Sequence, residues 1–215
     1  MSYYFTNDPN KTINRKKIDF RFSGVLRTFI SDDGVFSKST LDYGSRVLLE
    51  TLLKQDINGS VVDMGCGLGY IGILLKEYKP EISLTMVDIN ETAVALAKEN
   101  SELYHQKNKV ICSNGFENIA ENFDVIVSNP PIRTGKKVIY KIFSDGYDHL
   151  NKNGIMYLVI KRKQGAESAI KYLQSINFVV EVINKEGGYW IIKASKNEWK
   201  LSWQIHSILL LYIIA

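Results

Sequence analysis

Residues 61–73 read VVDMGCGLGYIGI, and this stretch decides the fold. An apolar run that contains Asp63 is followed by Gly65, Gly67 and Gly69, and then by residues with helical character. Glycines between a strand and a helix let the backbone turn tightly and let a ligand approach, because no Cβ is in the way. The helix N-terminus also presents unpaired N–H groups. The stretch therefore predicts a strand, a ligand-binding loop and a helix.

Apolar runs and helical patterns alternate through the rest of the chain. Apolar runs of strand length occur at residues 60–64, 82–88, 110–112, 123–128, 155–160, 179–183 and 189–194. Helical patterns lie between most of them, such as residues 90–104, where Asn90 can cap the first turn. Continuous apolar strands are typical of parallel sheets that helices cover on both faces. We therefore predict a doubly wound α/β fold with a mostly parallel, seven-stranded Rossmann-like sheet.

The two ends of the chain depart from this alternation. Residues 18–31 predict a β-hairpin around Gly24, and a DDGVFSKST loop and a helical pattern follow. We therefore predict an N-terminal extension at residues 1–58, packed on a domain at residues 59–196. The tail at 197–215 is largely apolar, but its apolar run is shorter than the roughly 20 residues of a membrane helix. It can pack on the domain, stay poorly ordered or tether the chain, and we expect no stable membrane association.

Composition excludes several classes of protein. Among 215 residues the net charge is +4, an excess too small to identify a nucleic-acid-binding protein. Cys66 and Cys112 lie far apart and follow no metal-ligand spacing, so we expect neither a disulfide nor a metal site. The N-terminus has no apolar segment typical of a signal peptide. A reducing, cytoplasmic location fits these features best.

An acidic residue supports the ligand-binding interpretation of the glycine loop. Asp88 ends the second apolar run, twenty-five residues after Asp63. A carboxylate at that position can accept hydrogen bonds from both hydroxyls of a ribose. The spacing G-C-G-L-G differs from the dinucleotide fingerprint G-x-G-x-x-G, so the pattern favours another nucleotide-containing ligand.

The loop resembles motif I of the class I S-adenosylmethionine-dependent methyltransferases. In that family the loop backs the methionine part of the cofactor, the acid holds the ribose, and residues after the third strand flank the adenine. The resemblance implies that S-adenosylmethionine is the cofactor and that its binding residues are Asp63, Gly65, Cys66, Gly67, Gly69, Asp88, Ile89, Asn114 and Gly115. For Asp63 a structural role, in which it holds the loop amides, is equally consistent with the sequence.

The fourth strand of the domain ends in prolines. FDVIVSNPPI, residues 123–132, runs from apolar residues into Asn129, Pro130 and Pro131. Consecutive prolines make a stiff loop, and the Asn129 amide oxygen and the Pro130 carbonyl can accept both hydrogens of a planar NH₂ group. This sequence is similar to the substrate signature of amino-methyltransferases. We predict a catalytic set of Asn129, Pro130, Pro131 and Ile132, with Asn129 also bordering the cofactor, and an in-line displacement without a covalent intermediate.

Two clusters of cationic residues lie near the predicted site. Their members are Arg133, Lys136, Lys137 and Lys141 after the prolines, and Lys161, Arg162 and Lys163 after the fifth strand. Parallel strands emerge at one edge of a sheet, so both clusters can surround the same pocket and bind a phosphate backbone. They can also be ordinary solvated lysines. We predict RNA binding by Arg133, Lys136, Lys137, Lys161, Arg162 and Lys163.

Segments from about residue 3 to residue 196 resemble the small-subunit ribosomal RNA guanine-N2 methyltransferases, in particular their short, single-domain relatives. The most specific segments are GVFS at 34–37 and NPPIRTGK at 129–136. The resemblance implies methyl transfer to guanine N2 in ribosomal RNA or the small subunit, with Phe36 closing over the cofactor. Ile132, where many amino-methyltransferases have an aromatic residue, suits guanine better than adenine or glutamine.

Two other functions fit the same residues. The acceptor can be a protein glutamine amide or a small molecule, since both can present an NH₂ group. The chain can also be a non-catalytic RNA-binding assembly factor on a methyltransferase fold. The sequence leaves open the target nucleotide, the oligomeric state and the choice between naked RNA and an assembled subunit as substrate.

Overall fold

The computed structural model describes residues 14–32 and 40–196. Phe36 and the tail at 197–215, which the sequence analysis singled out, lie outside these residues. The strands and helices, in chain order, are β1 (Lys16–Phe22), β2 (Val25–Ser31), α1 (Tyr43–Leu52), β3 (Ser60–Met64), α2 (Tyr70–Tyr78), β4 (Ser83–Asp88), α3 (Glu91–Leu103), β5 (Lys109–Cys112), β6 (Phe123–Ser128), α4 (Lys136–Asp148), β7 (Leu150–Lys161), α5 (Ala166–Ser175), β8 (Phe178–Glu186) and β9 (Tyr189–Lys196).

The central sheet has seven strands in the order β5-β4-β3-β6-β7-β9-β8. The first five of these are parallel to one another, whereas β9 runs antiparallel between β7 and β8. This arrangement confirms the predicted doubly wound α/β fold with a mostly parallel sheet. The carboxyl ends of β3, β4, β5, β6 and β7 meet at one edge of the sheet, which we call the ligand edge because open α/β sheets bind ligands there.

Helices cover both faces of the sheet. Alternate residues of each strand face opposite sides, so Val61 packs with α1 and α2 whereas Val62 packs with α4 and α5. The β1–β2 hairpin turns at Ser23 and Gly24, as the sequence predicts, and its phenylalanines join the same apolar cluster as α1 and α2. The division at residues 58 and 196 stays a prediction. No helix in the ranges 14–32 and 40–196 has the length and apolar character needed to cross a membrane.

β7 begins earlier in the chain than the sequence predicts. β7 begins at Leu150 instead of Ile155. Its first residues, LNKNG, are mostly polar, so apolar periodicity cannot find them. They enter the sheet because Phe123 pairs with Leu150 before a register shift that aligns Val125 with Ile155.

A buried asparagine joins the hairpin to the core. Asn100 of α3 is 0% exposed. Its Nδ2 donates hydrogen bonds of 3.0 Å to the carbonyls of Ile30 and Leu68, and its Oδ1 accepts one from the Ile30 amide at 2.6 Å. The Asn100 side chain thus joins the edge of β2 to Leu68 in the glycine loop.

We expect Asn100→Ala to lower the free energy of unfolding by about 1–3 kcal/mol, because the variant leaves buried backbone groups without the hydrogen bonds that the Asn100 amide now makes. Urea denaturation measures the change. The matched control is Glu102→Ala, an exposed position in the same helix. A loss no larger than that of the control would contradict the structural role given to Asn100.

Candidate functional site

The glycine loop folds back onto the end of β4. The amides of Gly65 and Cys66 donate to the Val87 carbonyl at 2.8 and 3.0 Å, and the Gly67 amide donates to Asp88 Oδ2 at 2.9 Å. This path needs left-handed backbone at Gly65 (φ 76°) and Gly67 (φ 55°), which residues with a Cβ rarely adopt. The loop therefore holds a fixed shape between the carboxyl ends of β3 and β4.

The outer side of this loop is open. A Cβ placed on Gly65 or Gly67 would meet no atom within 4 Å. A Cβ on Gly69 would instead lie 2.8 Å from Ile73 Cδ1 and 3.1 Å from Met86 Sδ, so Gly69 lets α2 pack closely. Gly69, the N-cap residue of α2, has no side chain and makes no capping hydrogen bond. An open glycine cradle beside a helix N-terminus suits the carboxylate end of an amino-acid-like ligand.

Asp63 lies beneath the loop with 1% of its surface exposed. Its Oδ2 accepts a hydrogen bond from the Gly72 amide of α2 at 2.9 Å, while its buried Oδ1 has no partner among the described residues. Burial raises the pKa of Asp63 to about 7, and the nearby Asp88 adds to this. The amide it holds belongs to α2 and not to the glycine loop. Cofactor binding by Asp63 stays a prediction.

The carboxylate of Asp88 is already oriented by two amides. Its Oδ1 accepts from Asn90 at 2.9 Å and its Oδ2 accepts from Gly67. Burial raises the pKa of Asp88, although these hydrogen bonds oppose the shift. Each carboxylate oxygen can accept a second hydrogen bond, so the capacity to bind two ribose hydroxyls remains.

Residues after β5 complete the predicted cofactor surface. The Ser113 amide donates to the Asp88 carbonyl at 3.0 Å, which places Asn114 and Gly115 beside the end of β4. Asn114 is exposed and donates to Glu117 at 3.0 Å. Ile89 follows Asp88, and its carbonyl lies 3.6 Å from the Cys112 sulfur. The described residues of the predicted cofactor set therefore lie along the ligand edge of β3, β4 and β5.

The Asn129 loop lies on the same edge, next to the glycine loop. Ser128 Oγ donates to the Met64 carbonyl at 2.7 Å and so joins the ends of β6 and β3. Asn129 Nδ2 donates to Ser45 Oγ at 3.0 Å and lies 3.4 and 3.5 Å from the carboxylate oxygens of Asp42. Both amide hydrogens are thus used by α1, which leaves Asn129 Oδ1 as the atom that can accept from a substrate.

Sequence reasoning missed Asp42 and Ser45. Asp42 is the N-cap of α1, and its carboxylate accepts from the Ser45 amide at 3.2 Å. An aspartate before a helix predicts a cap. Its approach to Asn129, 87 residues away, depends on how α1 packs against the sheet.

The other members of the predicted catalytic set are partly covered. Pro130 is buried, whereas Pro131 and Ile132 are half-buried, and Ile132 packs against the apolar cluster of α4 and α5. The Pro131 carbonyl accepts from the Thr134 amide at 2.9 Å and from its hydroxyl at 2.8 Å. These bonds close a short turn that leads into α4.

The described members of the predicted RNA-binding set lie at the start of α4 and at the carboxyl end of β7. Lys136 and Lys137 are exposed in the first turn of α4, while Lys161 ends β7. Arg162 pairs with Glu167 at 3.2 Å, and Lys163 is exposed in the turn after β7. The side chain of Arg133 lies outside the described part of the structure. RNA binding by these residues stays a prediction.

Lys141, the remaining member of the first cluster, is instead paired with Asp145 at 2.6 Å.

Among the histidines, His149 stacks on Phe116 with ring centroids 4.5 Å apart and contacts the carbonyls of Asp145 and Ile119. Within residues 14–32 and 40–196, no cluster of His, Cys, Asp and Glu side chains is suited to a metal ion.

The profile of the methyltransferase small domain family matches residues 27–193. The uncharacterized protein YbxB of Bacillus subtilis (strain 168) is 41% identical over 197 residues, which is 90% of this chain and 98% of that protein. The ribosomal RNA small subunit methyltransferase C of Pasteurella multocida (strain Pm70) is 41% identical over 122 residues, which is 57% of this chain.

A solved structure shares the fold. The 16S rRNA N2 methyltransferase RsmC of T. thermophilus, in complex with AdoMet and guanosine, superposes with a TM-score of 0.74 at 23% identity over 88% of this chain. This likeness concerns the fold alone. The chain spans 37% of the length of the Pasteurella multocida protein and 52% of the T. thermophilus one.

We expect Asp88→Ala to weaken the binding of S-adenosylmethionine by about tenfold or more, because the variant removes an oriented acceptor for two hydroxyls. Isothermal titration calorimetry measures the affinity. Since Asp88 also holds Gly67, thermal unfolding of the free protein is compared in parallel. The affinity of Asp88→Asn, which keeps one acceptor oxygen, is expected to lie between those of the wild type and Asp88→Ala. Unchanged affinity in both variants would remove the ribose assignment.

The Asp63 carboxyl predicts a pH dependence of stability. Its pKa rises from 3.8 in the unfolded chain to about 7 in the folded protein, so between these values the folded protein holds the proton more tightly. The contribution of Asp63 therefore makes the free energy of unfolding fall as pH rises through this window, and no further above it.

We expect Asp63→Asn to flatten this fall, since an amide does not titrate, by up to about 1.4 kcal/mol per pH unit for one proton. Urea denaturation of the ligand-free protein across the window measures the slope. Asp148→Asn, an exposed position at the end of α4, serves as the control. Equal slopes for wild type and Asp63→Asn would contradict the prediction.

Proposed function

The chain belongs to the methyltransferase small domain family, and from this premise we propose that it methylates the exocyclic N2 amine of a guanine in small-subunit ribosomal RNA. The methyl donor is S-adenosylmethionine. The names of relatives support the RNA acceptor, since the Pasteurella multocida protein is a ribosomal RNA small subunit methyltransferase C.

The observation that carries the proposal is the orientation of the Asn129 amide. Ser45 and Asp42 engage Nδ2, so the carbonyl oxygen of the amide is the free group. A guanine N2 amine is a double donor, and Asn129 Oδ1 with the Pro130 carbonyl offers two acceptors at the end of one strand. An amide in the opposite orientation would present N–H donors and repel the same amine. The site therefore selects an NH₂ acceptor group.

The residues of the site position the reactants and carry no covalent step. Asp88 would hold the ribose of the cofactor. The glycine loop from Gly65 to Gly67 would hold the methionine end, and Asp63 would hold the ammonium group of that end. When bound, the cofactor supplies an electrophilic methyl group on a sulfonium. The amine lone pair forms the new N–C bond as the C–S bond breaks, and the nitrogen then releases a proton to water. Positioning of this kind can lower a barrier by several kcal/mol.

Asn129 and Pro130 also address the weak nucleophilicity of the amine. The lone pair of an aromatic amine is delocalised into the ring, which makes the nitrogen planar and unreactive. Hydrogen bonds accepted by Asn129 Oδ1 and the Pro130 carbonyl favour a more tetrahedral nitrogen with a localised lone pair. No general base is needed in this scheme, because the acceptors are neutral and the proton leaves after transfer.

Guanine in RNA is favoured over other NH₂ groups by two features. Ile132 is half-buried against the α4 and α5 cluster, so it offers an apolar edge where an aromatic residue would stack on adenine or glutamine substrates. Exposed lysines at 136 and 137 lie immediately beyond it and can bind phosphate. A base in folded RNA must unstack to enter such a site, which favours unpaired nucleotides.

We expect Asn129→Ala to reduce methyl transfer by orders of magnitude while S-adenosylmethionine binding largely survives, because the variant removes the acceptor that orients the amine. Ser45→Ala, which frees the amide to rotate, is expected to cause a smaller loss of the same kind. Asn122→Ala, exposed before β6, is the control.

The assay combines labelled cofactor with small subunits or ribosomal RNA that lack the modification, and nucleoside mass spectrometry identifies the product. N2-methylguanosine is the expected product. Label in protein and never in RNA would favour a glutamine-amide acceptor and overturn the proposal. RNA affinity without methyl transfer in the wild type would indicate a non-catalytic assembly factor.

A further inference from the structure

The tip of the β8–β9 hairpin lies on the ligand edge. Lys161, the last residue of β7, pairs with Tyr189 at the start of β9, and the Arg162 amide donates to the Gly188 carbonyl at 2.8 Å. β7 is also the neighbour of β6, which ends at Ser128, one residue before Asn129. One strand, β7, therefore separates the hairpin tip from the acceptor loop along the sheet.

Aromatic rings and cations lie on both faces of the sheet at this tip, with Tyr189 on the face of α1 and α2 and Trp190 on the face of α4 and α5. Lys161 Nζ lies 5.5 Å from the ring centre of Tyr189. Lys185 Nζ and Arg162 Cζ lie 4.5 and 5.7 Å from the ring centre of Trp190. Both rings are half-buried, so their positions are held by the sheet while part of each surface stays accessible. We call these five residues the hairpin tract.

Few carboxylates neutralise the tract. Glu167 pairs with Arg162, but both side chains are more than half exposed, at 60% and 64%, so this ion pair contributes little and can yield to a phosphate. Glu186 accepts a hydrogen bond from the Tyr43 hydroxyl at 2.9 Å. Within the described residues, Lys161 and Lys185 make no ion pair. The tract therefore keeps an excess of positive charge beside accessible rings.

Helix α1 connects the tract to the acceptor loop. Tyr43 packs beside Tyr189 with ring centres 5.9 Å apart, and a Cβ on Gly44 would lie 2.8 Å from Tyr189 Cε1. The preceding residue, Asp42, lies against Asn129 Nδ2. The same helix terminus thus touches both the Tyr189 side of the tract and the Asn129 amide.

We propose that the hairpin tract binds single-stranded RNA that flanks the methylated nucleotide. Cations paired with aromatic rings are the combination that holds a phosphate backbone and stacks bases without reading sequence. This inference rests on the proposed function, since it names where the same RNA continues beyond the acceptor site. It adds Lys185, Tyr189 and Trp190, which no sequence motif indicated, to the basic residues at 161 and 162.

The test compares two double variants with the same change in charge. Lys161→Ala with Lys185→Ala removes the tract lysines, and Lys107→Ala with Lys171→Ala removes exposed lysines outside it. Fluorescence anisotropy measures binding of a single-stranded oligoribonucleotide at several salt concentrations. The tract variant is expected to lose several-fold in affinity and to lower the slope of log affinity against log salt by about 1.4, at about 0.7 per phosphate contact in single strands. The control pair is expected to match the wild type.

A ring substitution tests the stacking contribution separately. Trp190→Leu keeps an apolar residue in the strand, and it is expected to weaken RNA binding several-fold with an unchanged salt slope. S-adenosylmethionine affinity, measured by calorimetry, is expected to be unchanged in every variant and reports on folding.

The outcomes separate the tract from the proposed function. Wild-type affinity and salt slope in the tract variant, with methyl transfer to RNA intact, would overturn the tract and leave the proposed function standing. Binding of polyglutamate in place of RNA by the wild type would indicate an acidic protein partner and overturn both.

Discussion

The end of β4 organises the whole candidate site. The Val87 carbonyl and the Asp88 carboxylate together accept hydrogen bonds from three amides of the glycine loop, at 2.8 to 3.0 Å. These bonds force the loop to turn back after β3, and only left-handed backbone at Gly65 and Gly67 allows that path. This path leaves the outer side of the loop open at Gly65 and Gly67, and it leaves each Asp88 carboxylate oxygen able to accept a further hydrogen bond.

Buried hydrogen bonds, more than ion pairs, hold the ligand edge together. Asp63 joins β3 to α2, Ser128 joins β6 to β3, and Asn100 joins the hairpin to the segment before α2. Leaving such a group unsatisfied costs about 1–3 kcal/mol, whereas an exposed pair such as Lys141–Asp145 contributes about 0–1 kcal/mol. The geometry of the edge therefore depends on a small number of buried polar side chains, while the surface cations are left available to bind a partner.

Helix α1 links the parts of the edge that serve different purposes. Its N-cap Asp42 and its first-turn Ser45 orient Asn129, while Tyr43 between them packs on the β8–β9 hairpin. The cofactor surface, by contrast, is built from β3, β4 and β5 on the other side of β6. In the proposed function, one side of the edge would hold the cofactor while the other side would contact the RNA.

The sequence by itself determined the alternation of strands and helices along the chain, the glycine loop with its acidic residue, and the cap at Asn90. These features depend on local periodicity, backbone freedom and short-range hydrogen bonds. Asn90 does cap α3, accepting from Thr92 and Ala93. Only the tertiary structure decided the polar start of β7, the amide that Asp63 holds, the pairing of Lys141 and the orientation of the Asn129 amide. Each of these depends on a partner that distant segments bring into contact, and no periodicity within one segment records which atoms will meet.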